Sequence, residues 1–368
     1  MSGARRLAPL AFEAAERGLV PDGLVRAGVR RLARSRLRAV GAGGGLDEGS
    51  LGRGPIAPAP EAANEQHYEV PPEFFGLVLG PWRKYSCGLW PEGAETLEAS
   101  ELAMLRATAD MAGIGPGQDI LDLGCGWGAF SLFAAGEHPS SRVLGVSNSS
   151  SQREHILSEA RARGLANLDV RTADVNDLEL PDGAFDRIVS VEMFEHMSNY
   201  EALLARTRRW LRPDGKLFIH VFCHREHAYR FTTEGAGDWM AREFFTGGLM
   251  PSLDLLPRLA RGFELEERRF YRGTHYQKTS EAWLDRLDGN RDAVTELFAR
   301  TYGPDEAPRR VERWRLFFLA CAETFGLDEG RQWGVAHYRF SRGDTEPAEA
   351  GRMEEAGDTA ATETATTR

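Results

Sequence analysis

An α/β fold built on a doubly wound, mostly parallel sheet is predicted by three features of this 368-residue chain. From residue 113 onward, short apolar runs alternate with segments of helical periodicity, the trace that strands and crossover helices leave in a sequence. The first run, Ile120 to Leu123, passes straight into a turn with glycine at 124, 126 and 128, then into a helix from about Ala129. Polar and acidic residues gather where the runs end, at the carboxyl edge where ligands sit in such sheets.

The turn in Asp119-Ile-Leu-Asp-Leu-Gly-Cys-Gly-Trp-Gly-Ala-Phe130 is the organising stretch. Gly124, Gly126 and Gly128 remove side chains where a ligand or a neighbouring backbone comes close, and they tolerate positive φ. A dinucleotide fingerprint spaces its glycines G-x-G-x-x-G. Here they alternate, and Asp122 stands two residues before the first. Taken alone, the turn also fits an ordinary strand-to-helix junction in a dehydrogenase-like domain. The pattern apolar-Asp-apolar-Gly-x-Gly-x-Gly resembles motif I of the S-adenosylmethionine (SAM)-dependent methyltransferases, and that resemblance implies SAM as cofactor.

The other elements follow in order. Strand two is expected over Arg142 to Val146, strand three near Leu168 to Arg171, strand four over Phe185 to Val191 and strand five over Lys216 to Phe222. A helix from about Ser151 to Arg163 lies between the second and third. Another ends at Leu211-Arg-Pro-Asp-Gly215, where proline and glycine stop it. Phe263 to Tyr271 and Gly334 to Phe340 read as the last two strands, with helices between them.

These elements divide the chain. Residues 1–41 carry Arg26, Arg30, Arg31, Arg34 and Arg38 among Val25, Val29, Leu32 and Leu37, and read as a helical N-terminal arm broken near Val20-Pro21-Asp22-Gly23. Amphipathic helices packed on the rest of the chain are the first reading of this arm. A membrane-surface or anionic-partner patch is the second. Residues 42–63, rich in Gly, Pro and Ala, are expected to be a flexible linker. Residues 64–112, aromatic-rich and helical from Thr96 to about Met111, form a helical cap that contributes to the cofactor site. Residues 113–222 form a Rossmann-like core. Residues 223–342 hold an insertion, 223–260, read as a mostly helical lid, and then the last two strands. Residues 343–368 lack core-forming side chains and are expected to be disordered.

Bulk properties exclude several classes. A formal charge of −10 argues against nonspecific nucleic-acid binding, which needs a basic footprint. Cys87, Cys125, Cys223 and Cys321 show no C-x-x-C spacing, which suggests a reducing compartment and no disulfide framework. No apolar run approaches the roughly 20 residues of a membrane span, and the N-terminus lacks the apolar core of a secretory signal. A soluble, cytoplasmic protein is the expectation, with its oligomeric state open.

Candidate chemistry collects at the strand ends. After strand two, Ser147, Asn148 and Gln152 offer hydrogen bonds where many methyltransferases place a ribose-gripping acid; helix N-capping is the plainer role. Asp174, after strand three, is placed to accept from an adenine amino group or to serve as a turn acid. Glu192, Glu195 and His196 follow strand four, and a helix starting there would put all three on one face. Such a set suits an amine: carboxylates orient a cation, and a histidine takes its proton. Proton removal matters because an ammonium has no lone pair. The plainer reading is a solvated helix start. His220, Cys223, His224 and His227 match no standard zinc spacing, so no metal is expected.

Longer motifs extend the resemblance. Tyr85-Ser-Cys87, Leu121-Asp-Leu-Gly-Cys-Gly-Trp-Gly128, Ser147-Asn-Ser-Ser-Ser-Gln152 and Glu192-Met-Phe-Glu-His-Met-Ser-Asn-Tyr200 resemble the cyclopropane-fatty-acid synthase superfamily of SAM-dependent methyltransferases, in its coclaurine N-methyltransferase-like branch. Gly18-Leu-Val-Pro-Asp22, Asp238-Trp-Met, Phe244-Phe-Thr-Gly-Gly, Thr279-Ser-Glu-Ala-Trp-Leu284 and Trp314-Arg-Leu-Phe-Phe318 look similar too. The resemblance implies a class I methyltransferase fold, a seven-stranded Rossmann-like sheet with helices on both faces. It implies SAM contacts from Tyr85, Ser86, Gly124, Gly126, Ser147, Asn148, Gln152, Asp174 and Val175, beside the motif I acid Asp122. Glu192, Glu195 and His196 would bind and deprotonate a small amine, in a cavity walled by Phe325 and Trp333. Lipid-directed members are similar at Cys87, Glu195 and His220, groups associated there with a bicarbonate base. They also use a late-helix tyrosine where this chain carries Phe317. A lipid-directed cyclopropane synthase-like enzyme is therefore the first alternative, and a catalytically silent SAM-binding scaffold the second.

Overall fold

The structure is a computed structural model that describes residues 3–46, 49, 51–58, 70–233, 238–343 and 353–355. Its centre is the predicted sheet. Strands β1 (Asp119–Leu123), β2 (Arg142–Ser147), β3 (Leu168–Thr172), β4 (Phe185–Val191) and β5 (Leu211–His224) run parallel in the order β3-β2-β1-β4-β5. A two-residue ribbon, β6 (Tyr229–Arg230) with β7 (Leu249–Met250), lies apart from it. β9 (Trp333–Arg342) adds antiparallel to β5, and β8 (Phe263–Arg272) antiparallel to β9. Beyond these seven strands, β10 (Met353–Glu355) lies parallel to β8 at the edge, within a tail expected to be disordered. The rest of the tail after residue 343 falls outside the described residues.

The parallel strands read as near-continuous apolar runs because helices cover both faces. Ile120, Leu121 and Leu123 of β1 are fully buried. Helix α4 (Leu97–Ala112) precedes β1; Thr96 caps it by accepting the Ala99 amide at 3.1 Å, and Gly113 ends it in the left-handed region. Helices α5 (Ala129–Glu137), α6 (Ser150–Ala162) and α7 (Tyr200–Trp210) are the crossovers. β1 has β2 on one side and β4 on the other, so the chain switches direction there and opens a crevice above the ends of both strands.

The N-terminal arm is two helices, α1 (Gly3–Glu16) and α2 (Asp22–Gly41), packed against α12 (Ala307–Phe325). Buried Glu16 takes the Trp239 indole N–H at 2.8 Å and pairs with Arg309 and Arg313. Arg26 bridges Glu281 and Glu323, and Arg30 also reaches Glu323. These arginines of the suspected anionic-partner patch thus meet the chain's own acids.

Two regional expectations change. Residues 51–58 are packed, not a flexible linker: Leu51, Ile56 and Ala57 are buried, and the Asn176 side chain exchanges hydrogen bonds with the Ala57 backbone at 3.1 Å. Residues 47, 48, 50 and 59–69 lie outside the described residues. The lid is not mostly helical. It holds the β6–β7 ribbon and two five-residue helices, α8 (Trp239–Glu243) and α9 (Leu255–Leu259). Gly247, Gly248 and Pro251 break any longer helix; residues 234–237 are not described. The expected helices between β8 and β9 are α10 (Thr274–Gly289), α11 (Arg291–Tyr302) and α12. A short helix, α3 (Pro72–Val78), buries Phe74, Phe75 and Val78 among them.

Candidate active site

The turn after β1 is shaped by three glycines in the left-handed region, Gly124 at φ 82°, Gly126 at 51° and Gly128 at 83°. A Cβ on Gly128 would lie 2.5 Å from Ile156, and one on Gly124 2.9 Å from Met193. Only glycine combines this conformation with so close an approach. Behind the turn, buried Asp122 accepts from the Ser131 hydroxyl at 2.6 Å; burial pushes its pKa up to about 7 against that hydrogen bond.

All ten residues expected to hold the cofactor line a single cavity over the crevice: Tyr85, Ser86, Asp122, Gly124, Gly126, Ser147, Asn148, Gln152, Asp174 and Val175. At the end of β2, Ser147 donates to Gln152 Oε1 at 2.6 Å, while Ser149 caps α6. Capping and cavity lining therefore fall to different residues of one motif. Gln152 Nε2 and the Trp127 indole nitrogen are buried in the cavity wall with no hydrogen-bond partner among the described residues. A glycine cradle, two unused donors and the adjacent Asp174 fit an adenosine-bearing cofactor such as SAM.

Glu192 sits just past β4 in a strained left-handed conformation, φ 48°. Its carboxyl group has two donors and a histidine ring against it. The Cys87 amide reaches Oε1 at 3.0 Å, the Tyr276 hydroxyl reaches Oε2 at 2.7 Å, and His220 Nε2 lies 3.2 Å from Oε1. Burial raises its pKa, and the charge of buried Lys84 opposes that rise. Lys84 in turn holds the loop before Cys87, donating to Ser86 Oγ at 2.5 Å and to the Cys87 carbonyl at 2.7 Å.

The three expected acceptor residues do not share a helix face. Only Phe194–His196 forms a 3-10 turn, and Glu192 lies outside it. Glu192 and His196 line the cavity, and the His196 ring stacks on Phe245 with centroids 4.6 Å apart. Glu195 is fully buried, is not among the lining residues, and accepts the Phe222 amide at 2.7 Å through Oε1. Its Oε2 has no partner among the described residues. Burial and then the charge of Glu192 push its pKa well above the usual carboxylate range.

Phe325 and Trp333 also differ from expectation, since neither lines the cavity. Phe325 stacks on Tyr276 at 4.4 Å, one layer behind Glu192, and the buried Trp333 indole donates to Tyr229 at 3.0 Å. The histidines first weighed for zinc do not converge. His220 faces Glu192, whereas His224 Nδ1 accepts the Glu226 and His227 amides at 3.0 and 2.8 Å. No group of three or more possible metal-binding side chains gathers among the described residues.

Several contributors had been given no role. Ala57 and Lys84 line the cavity, as do Met193, Met197 and Thr246 from within the longer motifs, and Tyr276 reaches Glu192 from α10. Glu101 of α4 takes the Gly80, Trp82 and Lys84 amides at 3.1, 3.1 and 3.3 Å, fixing the loop that carries Tyr85 and Ser86. Lys84 carried a sequence signal of its own, being a cation inside an aromatic run.

The family model described as mycolic acid cyclopropane synthetase matches residues 58–331. (S)-coclaurine N-methyltransferase from Thalictrum flavum subsp. glaucum is 37% identical over 297 residues, 80% of this chain and 82% of that protein. The crystal structure of coclaurine N-methyltransferase bound to N-methylheliamine and SAH superposes with a TM-score of 0.85 at 34% identity, covering 90% of this chain and 98% of that one. Cyclopropane-fatty-acyl-phospholipid synthase from Escherichia coli (strain K12) is 30% identical over 282 residues, 76% of this chain and 67% of that protein. The chain belongs to the mycolic acid cyclopropane synthetase family, and it is a SAM-dependent methyltransferase.

Proposed function

We propose that this enzyme N-methylates a small amine, with Glu192, Glu195 and His196 as the acceptor set. The observation that carries the reading is Glu192: a largely buried carboxyl group held by two donors and the His220 ring, facing the same cavity as the glycine cradle. The likeness to coclaurine N-methyltransferase supports an amine as acceptor.

Tyr85, Ser86, Asp122, Gly124, Gly126, Ser147, Asn148, Gln152, Asp174 and Val175 would hold SAM. When bound, SAM supplies a methyl group carried on a sulfonium. The chain's own residues prepare the acceptor. Burial and the charge of Glu192 both oppose ionisation of Glu195, so the pair keeps one proton. Glu192, with the Cys87 amide and Tyr276 hydroxyl donating to it and the Lys84 charge favouring ionisation, holds the charge, and Glu195 holds the proton. The charged carboxylate draws in and orients the substrate cation. His196 takes the proton that must leave before nitrogen has a lone pair. Alignment then supplies much of the rate, and the Phe245 ring against His196 limits its access to water.

The lipid-directed reading fares worse. The Cys87 amide and the His220 ring, two of the groups linked to bicarbonate in such enzymes, are already engaged by Glu192. Phe317, where a tyrosine hydroxyl would be needed, stacks on Phe244 at 4.4 Å. Methyl-labelled SAM, incubated with the purified protein and a cell extract split into lipid and aqueous phases, tests the proposal. Label in small basic compounds is expected; label in acyl chains would overturn it.

A further inference from the structure

We propose that His337 is a positioning residue: through its hydrogen bond to His220 it fixes the tautomer that donates to Glu192, and so keeps Glu192 an ionised carboxylate. Its consequence for turnover rests on Glu192 being the acceptor carboxylate. The tautomer itself does not.

The arrangement comes from topology. Antiparallel addition of β9 beside β5 places His337 directly opposite His220, and both side chains are fully buried. His220 Nε2 lies 3.2 Å from Glu192 Oε1, and His220 Nδ1 lies 2.9 Å from His337 Nε2. His337 Nδ1, the far end of this chain of contacts, has no hydrogen-bond partner among the described residues. Phe218 packs edge-on against the His337 ring at 4.9 Å and Tyr271 at 4.6 Å. The charged and titratable groups around it are His220 on β5, Tyr271 and Arg269 on β8, and Lys84 on the loop.

Proton counting then fixes the direction. An ionised carboxylate only accepts, so the hydrogen facing Glu192 sits on His220 Nε2. Burial, followed by the charge of Lys84, holds His220 far below its usual pKa; burial, then His220, does the same for His337. A neutral imidazole carries one N–H, so His220 Nδ1 must accept and His337 Nε2 must donate. The loose end is then a bare lone pair on His337 Nδ1.

Protonating Glu192 on the oxygen that faces His220 reverses every step. The carboxyl O–H donates to His220 Nε2, His220 Nδ1–H donates to His337 Nε2, and the remaining proton lies on His337 Nδ1. That state buries an N–H with no acceptor. Buried orphan donors are rarer than under-used acceptors, and leaving one unpaired carries its desolvation cost. The dead end at His337 therefore opposes protonation of Glu192 at that oxygen, with no charged group required beside the carboxylate.

The test is nitrogen-15 NMR of the histidine-labelled enzyme, in which nine imidazoles must be assigned. His220 and His337 are both expected as Nε2–H tautomers across neutral pH. In His337→Phe, which keeps a ring against Phe218 and Tyr271, His220 should populate both tautomers. The acceptor KM should rise about 10-fold while SAM affinity stays unchanged. His337→Gln, whose amide can donate, should restore much of both. An Nδ1–H tautomer on His220 in the wild-type enzyme would overturn the proposal outright. So would a His337→Phe enzyme with unaltered His220 tautomer and KM. Should His337→Phe fail to fold, the wild-type spectrum and His337→Gln still decide. The spectra need no substrate, so the expected tautomers without an amine product would fault the amine reading and not this one.

Discussion

Tyr276 donates its hydroxyl to Glu192 Oε2 at 2.7 Å and so ties α10 to the end of β4. The pair joins the late helical region to the carboxyl edge of the sheet, and Phe325 supports it by stacking on the tyrosine ring. Removing only that hydroxyl leaves the stack in place. Tyr276→Phe should therefore fold normally and bind SAM normally, yet lose roughly 10- to 100-fold in kcat/KM for the acceptor, the usual worth of a hydrogen bond to a charged group. Steady-state kinetics beside SAM titration checks this.

Glu101 should matter for a different reason. Its carboxylate satisfies three backbone amides of the loop that presents Tyr85 and Ser86. Glu101→Ala would leave those amides unpaired in a largely buried place, at a cost of about 3 kcal/mol or more. A clear fall in Tm with a parallel loss of SAM affinity is expected. Unchanged SAM binding would mean that the loop holds its shape without the clamp.

Asp122 gives stability a pH dependence. Burial raises its folded pKa to about 7 from an ordinary 3.8, so the folded state keeps a proton that the unfolded chain releases. The contribution is present in full below the unfolded value and is lost as pH rises through the folded one, with a slope of up to about 1.4 kcal/mol per unit. Asp122→Asn removes the titration. The Tm difference, variant minus wild type, should grow between pH 5 and 7 and flatten above. A constant difference would show that Asp122 is ionised in the fold throughout.

Local chemistry made much of this molecule legible in its sequence. The strand at Ile120 to Leu123, the glycines behind it and the Ser147 to Gln152 segment depend on neighbours within a few residues, and each lies where its pattern indicated. What failed depended on distant partners. Glu195 carries the spacing of a shared helix face, but Glu192 leaves the helical region and Glu195 turns toward the Phe222 amide. Ala57 sits in a Gly- and Pro-rich run with no periodicity, yet Asn176 fastens its backbone. Tyr276 and His337 reach the Glu192 cluster only because α10 and β9 fold back beside β5.

The central claim is that Glu192 and His196 serve the acceptor while the glycine cradle serves the cofactor. Measuring equilibrium SAM binding and single-turnover methyl transfer side by side for Glu192→Gln and His196→Ala tests it most directly. The account expects SAM affinity close to wild type and transfer slowed by roughly 10² to 10⁴. A fall in SAM affinity matching the fall in transfer would contradict it.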